Sequence, residues 1–281
     1  MEHNIELESV SISMPSIRAG ESEKRIMSKL PSKITSRGAQ IHLVSRHPEV
    51  YEPCDDSFAL VDALLADRTN LLEHKPMLCL EIGCGCGYII TSLATMLGDE
   101  TNTIQYFATD INPHAAEATC KTSEAHGVHV EVVLTDITSS LGKRLSRMVD
   151  VVVVNPPYVP TPEEEVGCEG ITASWAGGEN GRSVIDRILP VVDELLSEKG
   201  WLYMVTLTAN KPSQICRLMG ERGYASRIVV QRSTEEESLH VIKFWREVDE
   251  AMKGQSRTAT QTASDSWFLQ FSRSTFWRRN N

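Results

Sequence analysis

Asn155-Pro156-Pro157-Tyr158 places an amide, two rigid residues and a phenol at four consecutive positions. It follows directly on Val149-Asp150-Val151-Val152-Val153-Val154, an apolar, β-branched run that reads as a strand buried on both faces. Neither proline can donate to a ladder, and the residue before each is pushed toward extended geometry, so the strand ends in a stiff turn. In open α/β sheets the carboxyl edge of the strands is where ligands bind. The side-chain oxygen of Asn155 can accept from a planar NH2 group, and Tyr158 can pack against the same plane. Such a pair suits methylation of an amide or amino nitrogen; the alternative is a plain Pro-Pro turn.

A second set of residues lies upstream. The strand-like Met77-Leu78-Cys79-Leu80-Glu81-Ile82 runs into Gly83-Cys84-Gly85-Cys86-Gly87 and then an apolar helical stretch. Alternating glycines let the backbone turn sharply and pass close to a ligand, and the following helix offers free N–H groups. The Gly-x-Gly-x-Gly spacing differs from the Gly-x-Gly-x-x-Gly of dinucleotide folds, and Glu81 disfavours a pyrophosphate. A carboxylate there suits the amino-acid end of S-adenosylmethionine. Asp110 ends the next strand, Gln105-Tyr106-Phe107-Ala108-Thr109-Asp110, and is placed to accept both hydroxyls of a ribose. Asp136 follows the short apolar run Val130 to Leu134, positioned to accept from an adenine amine while Ile137 covers the ring. Each acid alone reads as a solvated loop residue. Their recurrence after three successive strands, ahead of Asn155, reads as one cofactor site.

The elements that must position these residues follow from periodicity. Strands are expected near 77–82, 105–110, 130–134, 149–154, 201–207, 224–231 and 238–245, and helices near 88–97, 112–125, 183–198 and 211–222. Strict alternation up to residue 207 predicts a doubly wound α/β fold, a mostly parallel seven-stranded sheet of the Rossmann-like kind. The last two strands have no crossover helix between them and are expected to form a C-terminal antiparallel hairpin. A helix from about 56 to 68 precedes the first strand as a candidate lid. Residues 159–182, rich in Pro, Glu and Gly, read as a long substrate loop. Residues 36–247 form the expected catalytic domain. Residues 1–35 and 248–281 read as disordered extensions, the latter ending in an aromatic and basic stretch.

Composition narrows the class. With 281 residues, 41% of them apolar, the chain can bury one full core. No run approaches the ~18 apolar residues of a membrane span, and Glu2, Glu6 and Glu8 argue against a transit peptide. Seven cysteines without paired spacing point to a reducing compartment, cytoplasmic and also nuclear. Cys84 and Cys86 read as small loop side chains and not metal ligands; no metal is expected. The chain carries a net charge of −10, and residues 51–247 hold 16 Lys and Arg against 29 Asp and Glu, a net of −13. Gripping nucleic acid depends on cationic neutralisation of phosphates, so a DNA or RNA substrate is disfavoured. Glu163-Glu164-Glu165, just past the Pro-Pro turn, reads as a solvated face that can also steer a basic protein loop.

Four stretches together resemble a known family: Tyr51-Glu52-Pro53-Cys54-Asp55-Asp56-Ser57, Glu81 to Gly87, Asn155 to Pro160, and Trp175-Ala176-Gly177-Gly178-Glu179-Asn180-Gly181-Arg182. The chain resembles the class I S-adenosylmethionine-dependent methyltransferases, and within them the HemK-like eukaryotic branch that methylates a release-factor glutamine. The resemblance spans about Ser36 to Arg246. It implies that Ser57 and Glu81 hold the cofactor's amino-acid part, that Gly83 and Gly85 allow close backbone approach, and that Asp110, Asp136 and Ile137 take the ribose and adenine. Asn155 through Val159 would bind the substrate amide, with Asn155, Pro156 and Tyr158 in the catalytic roles. Cys54 and Asp55 stand where the family often has Ala and Glu, and Ser57 where Thr is frequent; hydroxyl and carboxylate chemistry is kept. The resemblance also implies a small zinc-binding activator subunit as heterodimer partner, and a class I translation release factor as substrate. The strand Val130 to Leu134 is a candidate edge for that partner. Methylation of a protein lysine or an adenine N6 is the alternative, and a non-catalytic binding protein is a third reading.

Overall fold

The computed structural model describes residues 38–98, 103–233 and 238–246. The extensions expected at 1–35 and 248–281 lie outside these residues. Seven strands form one sheet in the order β3-β2-β1-β4-β5-β7-β6. They are β1 (Leu78–Ile82), β2 (Gln105–Asp110), β3 (Glu131–Leu134), β4 (Val149–Val154), β5 (Leu196–Leu207), β6 (Tyr224–Ser233) and β7 (Ser238–Arg246). β1 to β5 pair in parallel, and β7 runs antiparallel to both β5 and β6. The doubly wound sheet with an antiparallel hairpin at one end is therefore the architecture expected from the sequence.

The reason lies in two-sided burial. Every residue of β4 is buried; Val151 and Val153 face one core, Val152 and Val154 the other. The first core is filled by α1 (Asp55–Ala66), α2 (Arg68–His74), α3 (Tyr88–Leu97) and α4 (Pro113–Ala125). The second is filled from α5 (Gly142–Leu145), α6 (Ser183–Leu195) and α7 (Pro212–Gly220). The chain leaves β1 toward β2 and β3 on one side, and from β4 continues toward β5 on the other. The switch between β1 and β4 opens the crevice at the strands' carboxyl ends in which such sheets bind ligands.

Two expectations need correction. β5 begins at Leu196, not near 201: α6 stops at Leu195, and the chain pairs with Val149 at once before a register shift. The helix expected over 56–68 spans Asp55–Ala66, and a second, unexpected helix follows from Arg68. The first is no lid, since Ala59, Leu60, Ala63 and Leu64 are fully buried, and only its first turn reaches the crevice. The expected loop over 159–182 lines the crevice through Val159, Gly170, Ala173, Ser174 and Trp175, and it has internal order. Val159 bridges Ala176, and short 3-10 turns at Glu163–Glu165, Ile171–Ser174 and Glu179–Gly181 fold it back on itself.

Candidate active site

All of the residues assigned to the site from the sequence line one cavity of about 220 Å3 at the carboxyl ends of β1 to β4. Its floor is the glycine loop. Gly83 and Gly85 hold φ of +74° and +52°, and a Cβ on either would meet nothing within 4 Å. Bare backbone thus faces open space, a cradle that side chains would fill.

Glu81 is fully buried beneath the loop. The Ile90 N–H, in the first turn of α3, donates to Glu81 Oε2 at 3.0 Å, while Oε1 is buried with no partner. Burial holds this carboxyl well above the usual glutamate range, partly offset by the Ile90 N–H and reinforced by the nearby charge of Asp110. Asp110 accepts from the Gly85 N–H at 2.9 Å through one oxygen and from the Asn112 N–H at 2.9 Å through the other. Burial raises its pKa despite those donors. Such a floor holds acceptor capacity that the protein leaves unused, the property needed to receive an ammonium group and a ribose diol.

The surroundings of Asp136 and Ile137 are less simple than the sequence implied. Asp136 is engaged by Arg187 of α6, leaving one carboxylate oxygen for a ligand. Ile137 holds φ of +52°, which costs a β-branched residue about 1–3 kcal/mol and aims it at the cavity. Ser57 is buried at the α1 end, its hydroxyl 3.2 Å from Asp56 Oδ1.

The opposite wall is the Asn155–Tyr158 turn, and here the structure adds residues that the sequence did not reveal. Asp56, only 5% exposed, accepts from Asn155 Nδ2 at 3.0 Å and from the Tyr158 hydroxyl at 2.9 Å, both on Oδ2. Its Oδ1 accepts from the Ser57 N–H at 2.6 Å. Burial, then the Asp56 charge, keep the Tyr158 phenol above its ordinary range, so it stays a donor. Asn155 Oδ1 is buried and has no partner. Behind the turn, the fully buried Asn210 donates through Nδ2 to the carbonyls of Tyr158 at 2.7 Å and Asn180 at 2.9 Å. Gly181 lies so close that a Cβ would overlap the Tyr158 carbonyl oxygen. The Trp175-to-Arg182 stretch is thereby a brace for the turn.

The acidic run is also partly structural. Glu163 Oε2 accepts from Ser183 Oγ at 2.9 Å and from the Glu179 N–H at 3.2 Å, neutral donors that fix the side chain and leave its charge in place. Asp56 lies in the Tyr51-to-Ser57 stretch, but an acid in the first turn of a helix is ordinary compensation of the helix dipole and by itself marks no role. Its place beside Ser57 was the available signal. Nothing local marks Asn210 or Arg187. Among the described residues no cluster of His, Cys, Asp and Glu could hold a metal ion.

Fold and cavity are those of a class I methyltransferase, and comparisons with known proteins agree. Residues 54–169 match the methyltransferase small domain family. Human "Methyltransferase HEMK2" is 44% identical over 196 residues, covering 70% of this chain and 89% of that protein. The "eRF1 methyltransferase catalytic subunit mtq2" of Schizosaccharomyces pombe is 35% identical over 208 residues, covering 70% of this chain and 90% of its own. Among solved structures, the E. cuniculi Mtq2–Trm112 complex, described as methylating the termination factor eRF1, aligns with a TM-score of 0.52 at 30% identity. It covers 71% of this chain and 99% of that one. The chain belongs to the HEMK2/Mtq2 family of methyltransferases.

Proposed function

We propose that this chain methylates the side-chain amide nitrogen of a glutamine, in the Gly-Gly-Gln loop of a class I translation release factor, with S-adenosylmethionine as donor. The observation that carries the reading is Asn155: its NH2 is committed to Asp56, and its oxygen is buried, unpartnered and set in the cavity wall. A primary amide brought there supplies the missing donor.

An amide nitrogen is a poor nucleophile because its lone pair is delocalised into the carbonyl. The bound cofactor supplies an electrophilic methyl group on a sulfonium, so the protein's task is orientation. Asn155 Oδ1 and the Pro156 carbonyl accept the two amide protons, fix the rotation of the NH2 group and raise electron density on nitrogen. Tyr158 packs against the amide plane, with its hydroxyl anchored on Asp56. Holding the reacting atoms in line can contribute ~7–11 kcal/mol of barrier reduction. No base is required before transfer, since the product sheds its proton to water. On the cofactor side, Glu81 Oε1 and Ser57 suit the amino-acid end, Asp110 the ribose, and Asp136 with Ile137 the adenine. Gly83 and Gly85 supply the close approach.

The activator subunit fits the outer edge of β3. It is one of the sheet's two terminal strands among the described residues, and Leu134 and Ile111 at that edge are 55% and 66% exposed. A lysine has no planar NH2 for Asn155 to align, and the acidic residues around the cavity oppose a phosphate backbone. All seven cysteines are free thiols, in keeping with a cytoplasmic or nuclear setting. The test is transfer of labelled methyl from S-adenosylmethionine, by chain plus activator, to a recombinant release factor in wild-type and Gln-to-Ala forms. A methyl group on the wild-type glutamine alone supports the reading. Cofactor binding without transfer to either form rejects it.

A further inference from the structure

We propose that Asp56 is a positioning residue that decides which face of the Asn155 amide the substrate meets. The proposal rests on the reading of Asn155 given above and deepens it. An asparagine can present either its oxygen or its NH2 to a cavity, and the two ends differ little in size. Only the oxygen helps to align a primary amide for methyl transfer. Asn155 has a single polar side-chain partner, and that partner is a carboxylate, which accepts and does not donate. The NH2 must therefore turn to Asp56 and the oxygen to the cavity.

The carboxylate is itself held from two sides. Oδ1 accepts from the Ser57 N–H at 2.6 Å, and Oδ2 takes both Asn155 Nδ2 and the Tyr158 hydroxyl. Asp56 thus locks the amide and the phenol with one group, from a helix 99 residues away in the chain. At the next position Ser57 faces the same cavity, so the first turn of α1 links the cofactor end to the substrate end.

Asp56→Asn tests this sharply because shape is kept and only the donor pattern changes. Whichever way the new amide turns, its NH2 meets a donor: the Ser57 N–H on one side, or the Asn155–Tyr158 pair on the other. The backbone N–H is fixed and the Asn155 side chain is not. The less costly arrangement reverses Asn155 and presents its NH2 to the substrate.

The expected result, for both Asp56→Asn and Asp56→Ala, is a fall in kcat of about 10²-fold, with cofactor Kd and substrate KM within about threefold of wild type. The side-chain amide resonances of Asn155, assigned by their loss in Asn155→Ala, should move in both variants of 15N-labelled protein without substrate. If Asp56→Ala does not fold, the isosteric Asn variant carries both measurements. A kcat within about threefold of wild type, or unmoved Asn155 amide resonances, overturns the proposal. If the wild-type protein fails to methylate glutamine, the functional reading falls while the resonances still judge the role of Asp56.

Discussion

The two walls of the cavity are built on opposite principles. The wall proposed for the cofactor is mostly backbone: a glycine loop, a helix start, the buried Glu81 and the half-buried Asp110, both acids whose charged forms desolvation disfavours. The wall proposed for the substrate is a side-chain network, with the Asn155–Tyr158 turn gripped by Asp56, Asn210 and the close-packed Gly181. Each wall leaves one buried oxygen without a partner, Glu81 Oε1 in the first and Asn155 Oδ1 in the second. The difference in construction matches the proposed tasks. A sulfonium cofactor brings its own reactivity and needs to be held, whereas an amide must be oriented by a frame that does not yield.

Substitutions can break this contrast. Asn155→Ala should have the largest effect, a loss of turnover of about 10³-fold with cofactor affinity within a few-fold, read by single-turnover transfer and calorimetric titration. Near-normal rates would remove the basis of the mechanism. Gly181→Ala comes next. Its methyl group would push on the Tyr158 carbonyl and shift the turn, lowering kcat by about 10²-fold while leaving cofactor binding nearly intact. An equal loss of both would show that the two walls are one mechanical unit.

Ile137→Gly probes the other wall. It releases backbone strain of about 1–3 kcal/mol, so the melting temperature should hold or rise. Cofactor affinity should drop about tenfold as the apolar cover is lost. The smallest effect concerns Glu81. Because its folded pKa is raised, the native chain keeps a proton that the unfolded chain releases. Stability of the cofactor-free protein should therefore fall as pH rises above about 4.3, until the folded value is passed. Glu81→Gln should flatten that slope in urea titrations, Asp110 supplying what remains. An unchanged slope would mean that Glu81 is charged in the empty protein.

The fold was legible where burial imposes a period. β4 is apolar at every position but Asp150 because both its faces are covered, and the longer helices between strands could be placed from their stripes, whereas the single turn Gly142–Leu145 was not expected. The join between α6 and β5 was not legible, since Leu195-Leu196 belongs equally well to a helix end or a strand start. The site divided in the same manner. Residues placed at a strand end, such as Glu81, Asp110 and Asn155, carry a local signature, and they line the cavity together. Asp56 and Asn210 act through contacts 99 and 52 residues away along the chain; Asp56 has only its place beside Ser57 as a signal, and nothing in the neighbourhood of Asn210 announces it. Arg187, which takes half of Asp136, was hidden in the same way.

The place of β7 in the sheet has a consequence for how the molecule is made. It is the last strand of the described residues, yet it lies between β5 and β6. A growing chain that has emerged only as far as Ser233 still exposes the long edge of β5, a template for pairing with other chains. Asp67 and Tyr203 also wait inside for Lys243, which β7 brings. Arrival of Ser238–Arg246 closes the edge and completes the buried ion pair together. Translation halted just short of that point should give an adhesive fragment for chaperones and proteases, not a smaller working enzyme.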